Sequence, residues 1–250
     1  MAKLMVVAAL ALLAGRAADE DLDKAAAKAA EMGNYSCTVT VKVEGGGGGG
    51  GGGDGRGNQS VELQVKADAP WHVKSADAEI YKKGEVAAVK EGDTWKRLER
   101  PQRPQEGEEP DRKAMAAQML RGVRAPHELL KDLKSSSFKE VKKEDGEGGR
   151  VYSGELTAEG VKPFLMGGRR RAGGGDQPAP QATGTAKVWV NGDGVITKYE
   201  INIEAKRKNR EGDEITTKST RTVEIKDVGT TKYDVPEAAA KVFEPKKSEK

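Results

Sequence analysis

Two long stretches alternate strictly between apolar and polar positions. Tyr35, Cys37, Val39, Val41 and Val43 fall on one side of a strand, and Ser36, Thr38, Thr40, Lys42 and Glu44 on the other. Near the C-terminus, Val195, Thr197, Tyr199, Ile201, Ile203 and Ala205 alternate with Lys198, Glu200, Asn202 and Glu204. Ile215, Thr217, Ser219, Arg221, Val223 and Ile225 then alternate with Thr216, Lys218, Thr220, Thr222, Glu224 and Lys226. Period two with one apolar face predicts strands of an antiparallel sheet with one wet side. Val61, Leu63, Val65 and Ala67 continue the pattern. Shorter strands are predicted at 71–74, 78–81, 85–90, 94–98, 138–143, 150–156 and 185–191, divided by turn signals such as Lys83-Gly84, Gly92-Asp93 and Asn191-Gly192-Asp193-Gly194.

Helical periodicity occurs between these strands. Residues 21–32, Ala-rich with acids first and Gly33 after, predict a helix. Met115, Met119, Leu120 and Val123 share one helical face. A second mid-chain helix opens near Pro126 and carries Leu129, Leu130 and Leu133. Thr157 is an N-cap candidate, and Asp234 with Glu237 has the spacing of a capping box for a short helix reaching Phe243. Residues 1–17 combine Lys3, an apolar run from Leu4 to Ala14 and the small residues Gly15 and Ala17, which is the pattern of a secretory signal cut near Ala17 or Ala18. The expected mature protein is therefore exported, periplasmic or extracellular. It is read as one domain, 18–243, with low-complexity loops at 45–57 and 167–184 and a disordered tail at 244–250.

Composition narrows the chemistry. The 43 basic and 40 acidic side chains nearly cancel, which argues against a nucleic-acid partner. One Cys and two His leave no disulfide scaffold or Cys/His zinc cluster, and no cofactor motif is present. The nine glycines 45–53 lack the Gly-Lys-Ser/Thr and helix of a phosphate loop. Cys37 with His127 is the conceivable nucleophile and base, but Cys37 sits mid-strand on the apolar side, away from any thiolate-stabilising niche. His72 alternates onto the wet face beside Trp71. No GxSxG or HExxH motif occurs, and the chain is not expected to be an enzyme. Arg169, Arg170 and Arg171 read as a solvated charge run.

The N-terminal helix and its Tyr-Ser-x-Thr-x-Thr strand, the two mid-chain helices, the hairpin Val188-Trp189-Val190-Asn191-Gly192-Asp193-Gly194-Val195-Ile196-Thr197-Lys198 and the closing Asp234-Val235-Pro236-Glu237 have a familiar order. Over residues 20–243 the chain resembles the LolA-like periplasmic superfamily, including the LppX/LprG lipoproteins. The resemblance implies an α+β fold: a curved antiparallel sheet, an unclosed barrel of about ten strands, with helices covering its concave face. It also implies a non-catalytic carrier of lipids or acylated proteins. Unlike the lipoprotein members, the chain has Arg16 where an anchoring Cys would follow Leu13-Ala14-Gly15.

On this reading Val39, Val41, Leu63, Val65, Tyr199, Ile201, Ile203 and Val223 line one wall of a lipid pocket, and Met115, Met119 and Leu120 the other. The competing expectation is an envelope interaction or structural module whose helices close on the sheet as plain core, with no small ligand. The same apolar residues serve both, so the pattern leaves the two open.

Overall fold

The computed structural model describes residues 18–45, 58–98, 116–117, 120, 123–130, 133–146, 148–165, 181–208 and 212–244. The expected signal segment, most of both low-complexity loops, Met115, Met119 and the 245–250 tail lie outside them. Eleven strands form one antiparallel sheet that does not close on itself. They are β1 (Asn34–Glu44), β2 (Asn58–Lys66), β3 (Trp71–Lys74), β4 (Glu79–Lys83), β5 (Val86–Glu91), β6 (Thr94–Arg97), β7 (Lys142–Gly146), β8 (Gly149–Glu155), β9 (Gln181–Asn191), β10 (Ile196–Lys208) and β11 (Glu214–Lys226). Their order is β6-β5-β4-β3-β2-β1-β11-β10-β9-β8-β7, so consecutive strands lie side by side except β6 and β7, which form the two edges, while β1 meets β11 in the middle. Among the described residues the helices are α1 (18–30), of ordinary length, and the short α2 (Pro126–Leu130), α3 (Ala158–Val161) and α4 (Glu237–Ala240). No helix among the described residues is long and apolar enough to cross a membrane.

Contacts divide the chain into two compact units. The first comprises 1–31, 40–59 and 126–224. Its sheet is built in cross-strand rows. Tyr152, Val188, Tyr199 and Val223 stand opposite one another in turn, as do Gly154, Ala186, Ile201 and Arg221, and then Gly184, Ile203 and Ser219. The apolar members of these rows are buried. Helix α1 buries the stripe Ala18, Leu22, Ala25, Ala26 and Ala29 at helical spacing. The Asp21 carboxylate accepts from Lys143 Nζ at 2.8 Å, Arg150 Nη1 at 3.0 Å and Tyr152 OH at 3.4 Å. Asp23 accepts from the Ser135 amide at 2.7 Å, and Lys28 donates to the Asp193 carbonyl at 2.7 Å. The opposite face of the same strands is polar, with Lys198–Glu224, Lys218–Glu204 and Lys206–Glu214 pairs across the ladder.

The second unit comprises 32–39, 60–125 and 225–250. Leu63, Val73, Ile80 and Val89 form one buried row. On this face Lys82 Nζ donates to the Val123 carbonyl at 3.0 Å, which ties down the segment holding buried Ala117, Leu120 and Ala125. The reverse face carries the row Gln64, His72, Tyr81 and Ala88. There Tyr81, Ala88 and Ala239 form a cluster, and Trp95, Tyr233, Val235, Val242 and Phe243 pack against it. Both faces of these strands are therefore covered within the unit.

Three expectations change. His72 and Trp71 point to opposite faces, and His72 is largely covered rather than wet, its ring stacked 4.8 Å from Tyr81. Alternation locates a face but not what comes to lie on it. Asp234 does not cap the last helix: Pro236 is its N-cap, without a side-chain bond, while the Asp234 carbonyl accepts from Tyr81 OH at 3.1 Å. Strand β7 starts at Lys142 rather than Phe138. Phe138 makes only an isolated bridge with Leu156, and the Glu140 carbonyl comes so close to Gly154 that a Cβ there would collide with it. The Thr157 cap holds, its Oγ1 accepting from the Gly160 amide at 3.1 Å.

Candidate functional site: an apolar cleft in the first unit

Six residues of the first unit line a cleft: Val41 on β1, Ile201 and Ile203 on β10, Ser219 and Arg221 on β11, and Phe164. The strands supply five of these by register. Ile201 is directly opposite Arg221 and Ile203 directly opposite Ser219, so all four point to the same side. Phe164 is delivered by a local device. Thr157 caps α3, the chain tightens into the turn Lys162–Phe164 with Pro163 inside it, and Phe164 lands on the strands with little exposure. Gly184 lies opposite Ile203, and a Cβ there would stand 2.5 Å from Ile203 Cδ1. The isoleucine thus lies over a glycine, which lets its side chain settle close to the sheet.

The cleft encloses about 230 Å³, counting space open to solvent. Only about 10 Å³ of it has room for a water-sized sphere, so as it stands the walls nearly close on one another. Its walls are hydrocarbon except for Ser219 and Arg221. Among the described residues nothing gives the Arg221 guanidinium a hydrogen bond or an ion pair.

Of the residues expected to line a pocket, Val41, Ile201 and Ile203 come together here. Tyr199 and Val223 occupy the next row of the same sheet and are fully buried core. Val39, Leu63, Val65 and Leu120 belong to the second unit and are buried in it. Met115 and Met119 lie outside the described residues. Sequence reasoning missed Phe164, Ser219 and Arg221 as lining. The alternation of β11 already places Ser219 and Arg221 on the side of Val223 and Ile225, so the signal was present. Phe164 carried none, since its position depends on the α3 cap and the turn after it.

Other reactive groups are engaged elsewhere. Cys37 is buried, and burial pushes its thiol up to about 12, the reverse of an activated nucleophile. His72 Nδ1 and Nε2 each lie 2.8 Å from a side-chain oxygen, of Gln64 and Glu79 respectively. Burial raises the Glu79 carboxyl, but the His72 hydrogen bond and the Lys90 charge outweigh it and hold the group below the usual range. Among the described residues no group of three His, Cys, Asp or Glu is placed to hold a metal ion. No protein-family model and no curated protein matches the sequence.

Proposed function

We propose that the protein is an exported, non-catalytic binder of a single acyl chain, built on LolA-like lines with short helices and turns laid on the apolar side of an open antiparallel sheet. The cleft between Phe164 and the Val41, Ile201 and Ile203 positions is the observation that carries this reading. Burial of methylenes contributes about 0.8 kcal/mol each, while association costs about 4–15 kcal/mol. A chain enters only if Phe164 moves away from the strands, so the binding expected is weak. An acyl group on a lipid or on a lipidated protein presents the same chemistry to it.

The test is native mass spectrometry of the purified protein with solvent extraction of any adduct, paired with a Val41→Asp variant. Val41 is only half-buried, so the charge reaches the cleft without entering the core. Ile201→Asp would test folding instead, because Ile201 is 1% exposed. An extractable acyl adduct that Val41→Asp abolishes, with an unchanged far-ultraviolet spectrum, supports the reading. A bare mass that stays bare after incubation with lipid vesicles overturns it.

A second reading has its own support. Tyr199, Val223, Leu63 and Val65 are packed to 1% exposure or less, which is the signature of plain core. On that reading the chain is an envelope interaction or structural module, and the cleft is a packing defect that stays empty.

A further inference from the structure

We propose that His72 is a proton-controlled latch for the C-terminal segment 232–243: as imidazolium it holds the segment on the second unit, and loss of the proton loosens it. The inference concerns the second unit alone and does not depend on what the cleft of the first unit binds.

His72 stands on β3 with an oxygen at each ring nitrogen. Gln64 Oε1 of β2 lies 2.8 Å from Nδ1, and Glu79 Oε1 of β4 lies 2.8 Å from Nε2. A neutral imidazole carries one N–H and can donate to only one of them, whereas the imidazolium donates to both. A neutral ring that kept its proton toward Glu79 would require Gln64 to turn its amide over. Strand register brings the group together, because Gln64, His72 and Tyr81 stand opposite one another in turn. The His72 side chain is only 17% exposed, so water is a poor substitute for a lost partner.

The same ring lies under the C-terminal segment. It stacks on Tyr81 at 4.8 Å, and the Tyr233 ring is 6.4 Å away. A cation is attracted to such ring faces. These two tyrosines also tie the segment down: Tyr81 OH donates to the Asp234 carbonyl at 3.1 Å, and Tyr233 OH donates to the Pro70 carbonyl at 3.0 Å. Ala239 of α4 packs with Tyr81 and Ala88. The segment leaves β11 through a turn in which the Asp227 carbonyl accepts from the Thr230 and Thr231 amides. It can therefore lift while β11 stays paired.

The one charge in contact with the ring is negative. It is the Glu79 carboxylate, whose other oxygen lies 3.4 Å from Lys90 Nζ of β5. On the same face Glu62 and Lys66 flank Gln64 on β2, Lys74 flanks His72 on β3, and Arg97 of β6 ends the row beyond Ala88. Asp234 is the acid that the segment itself brings. Burial raises the Tyr81 and Tyr233 hydroxyls, so both remain neutral donors near neutrality. A proton that the docked segment helps to hold is given up as pH rises, so attachment is firm at pH 5.5 and looser at pH 8.

The chain has two histidines and one cysteine, and the Cys37 thiol is pushed up to about 12. Among side chains, a response between pH 5.5 and 8 therefore traces to His72 or His127. The Ala239 and Ala240 amides bond the Pro236 carbonyl, and their hydrogen-exchange protection factors, taken relative to Ile201 in β10, measure attachment. Protection at pH 5.5 is expected to exceed that at pH 8 by about three- to tenfold, as the gap between a charged and a neutral hydrogen bond implies. His72→Gln should abolish the difference, and His127→Asn, in the first unit, should leave it intact. Nitrogen-15 shifts of the wild-type His72 ring are expected to show both nitrogens protonated at pH 5.5, a readout that stands even if His72→Gln unfolds. Equal protection at the two pH values, a difference that survives His72→Gln, or a neutral His72 ring at pH 5.5 overturns the latch.

Discussion

The two units build the same kind of strand and use it in opposite ways. In the first, strands of 11 and 13 residues bury one face and leave the other to water, with lysine and glutamate pairing across it. In the second, strands of four to six residues are covered on both sides, by Leu120 and its neighbours on one and by the Tyr233–Phe243 segment on the other. A one-sided sheet tolerates change on its outer face and can leave room on its inner one. A two-sided sheet has no spare face, so its side chains must fit closely. The cleft lies in the first unit, where the tertiary cover is thinner.

Truncating the centre of the two-sided region should give the largest effect. Tyr81 contacts the rings of His72 and Trp95 at 4.8 and 5.0 Å and bonds the Asp234 carbonyl. Tyr81→Ala is expected to cost about 3–5 kcal/mol in urea denaturation. A loss below about 1 kcal/mol would mean that the second unit is not packed on both faces.

High pH probes the same unit through Cys37. Burial raises the folded thiol from 9.0 to about 12. Its contribution is therefore whole below pH 9 and disappears as pH climbs, because the unfolded chain ionises first. The expected slope is a loss of about 1.4 kcal/mol per pH unit above pH 9. Tyr233, also raised to about 12 by burial, adds loss of the same sign at higher pH. The difference between wild type and Cys37→Ala isolates the thiol, and identical alkaline slopes would contradict its burial.

Acid probes the first unit. The Lys143 hydrogen bond lowers the Asp21 carboxyl below 3.8 against the opposing effect of burial, with Arg150 and Lys24 assisting. Its contribution is present above about pH 4 and is lost as pH falls through the lowered value. Asp21→Asn should cost about 1 kcal/mol at pH 7, as suits a partly exposed pair, and flatten the acid limb of the stability curve. The smallest effect belongs to the wet face. Thr220 Oγ1 donates to Asn202 Oδ1 at 2.7 Å in a partly open position. Thr220→Val is expected to change stability by less than about 0.5 kcal/mol, and a larger loss would show that this face is not a free surface.

The same contrast governs what could be read from the residues alone. The long strands of the first unit announce themselves because one wet face forces alternation, as at Tyr199, Ile201 and Ile203. Strand β5, Val-Ala-Ala-Val, is buried on both sides, and its periodicity says nothing about which partner covers which face. His72 reads as wet for the same reason, since the aromatic segment that covers it comes from far along the chain. The cleft was legible in part. Val41, Ile201 and Ile203 follow from strand parity, whereas Phe164 depends on a capped turn and Leu63 and Val65 belong to a different core.

An antiparallel ladder that never closes ends in two outer strands, here β6 and β7. Each presents backbone amides and carbonyls that could template a neighbouring chain and start aggregation. Strand β6 is only four residues, with Lys96 and Arg97 exposed. Strand β7 is Lys-Lys-Glu-Asp-Gly, with its four charged side chains exposed. Shortness and charge are what discourage a second copy from zipping onto an open rim. Such a protein can keep an unsealed sheet, and with it access to the inner face, without polymerising through its edges.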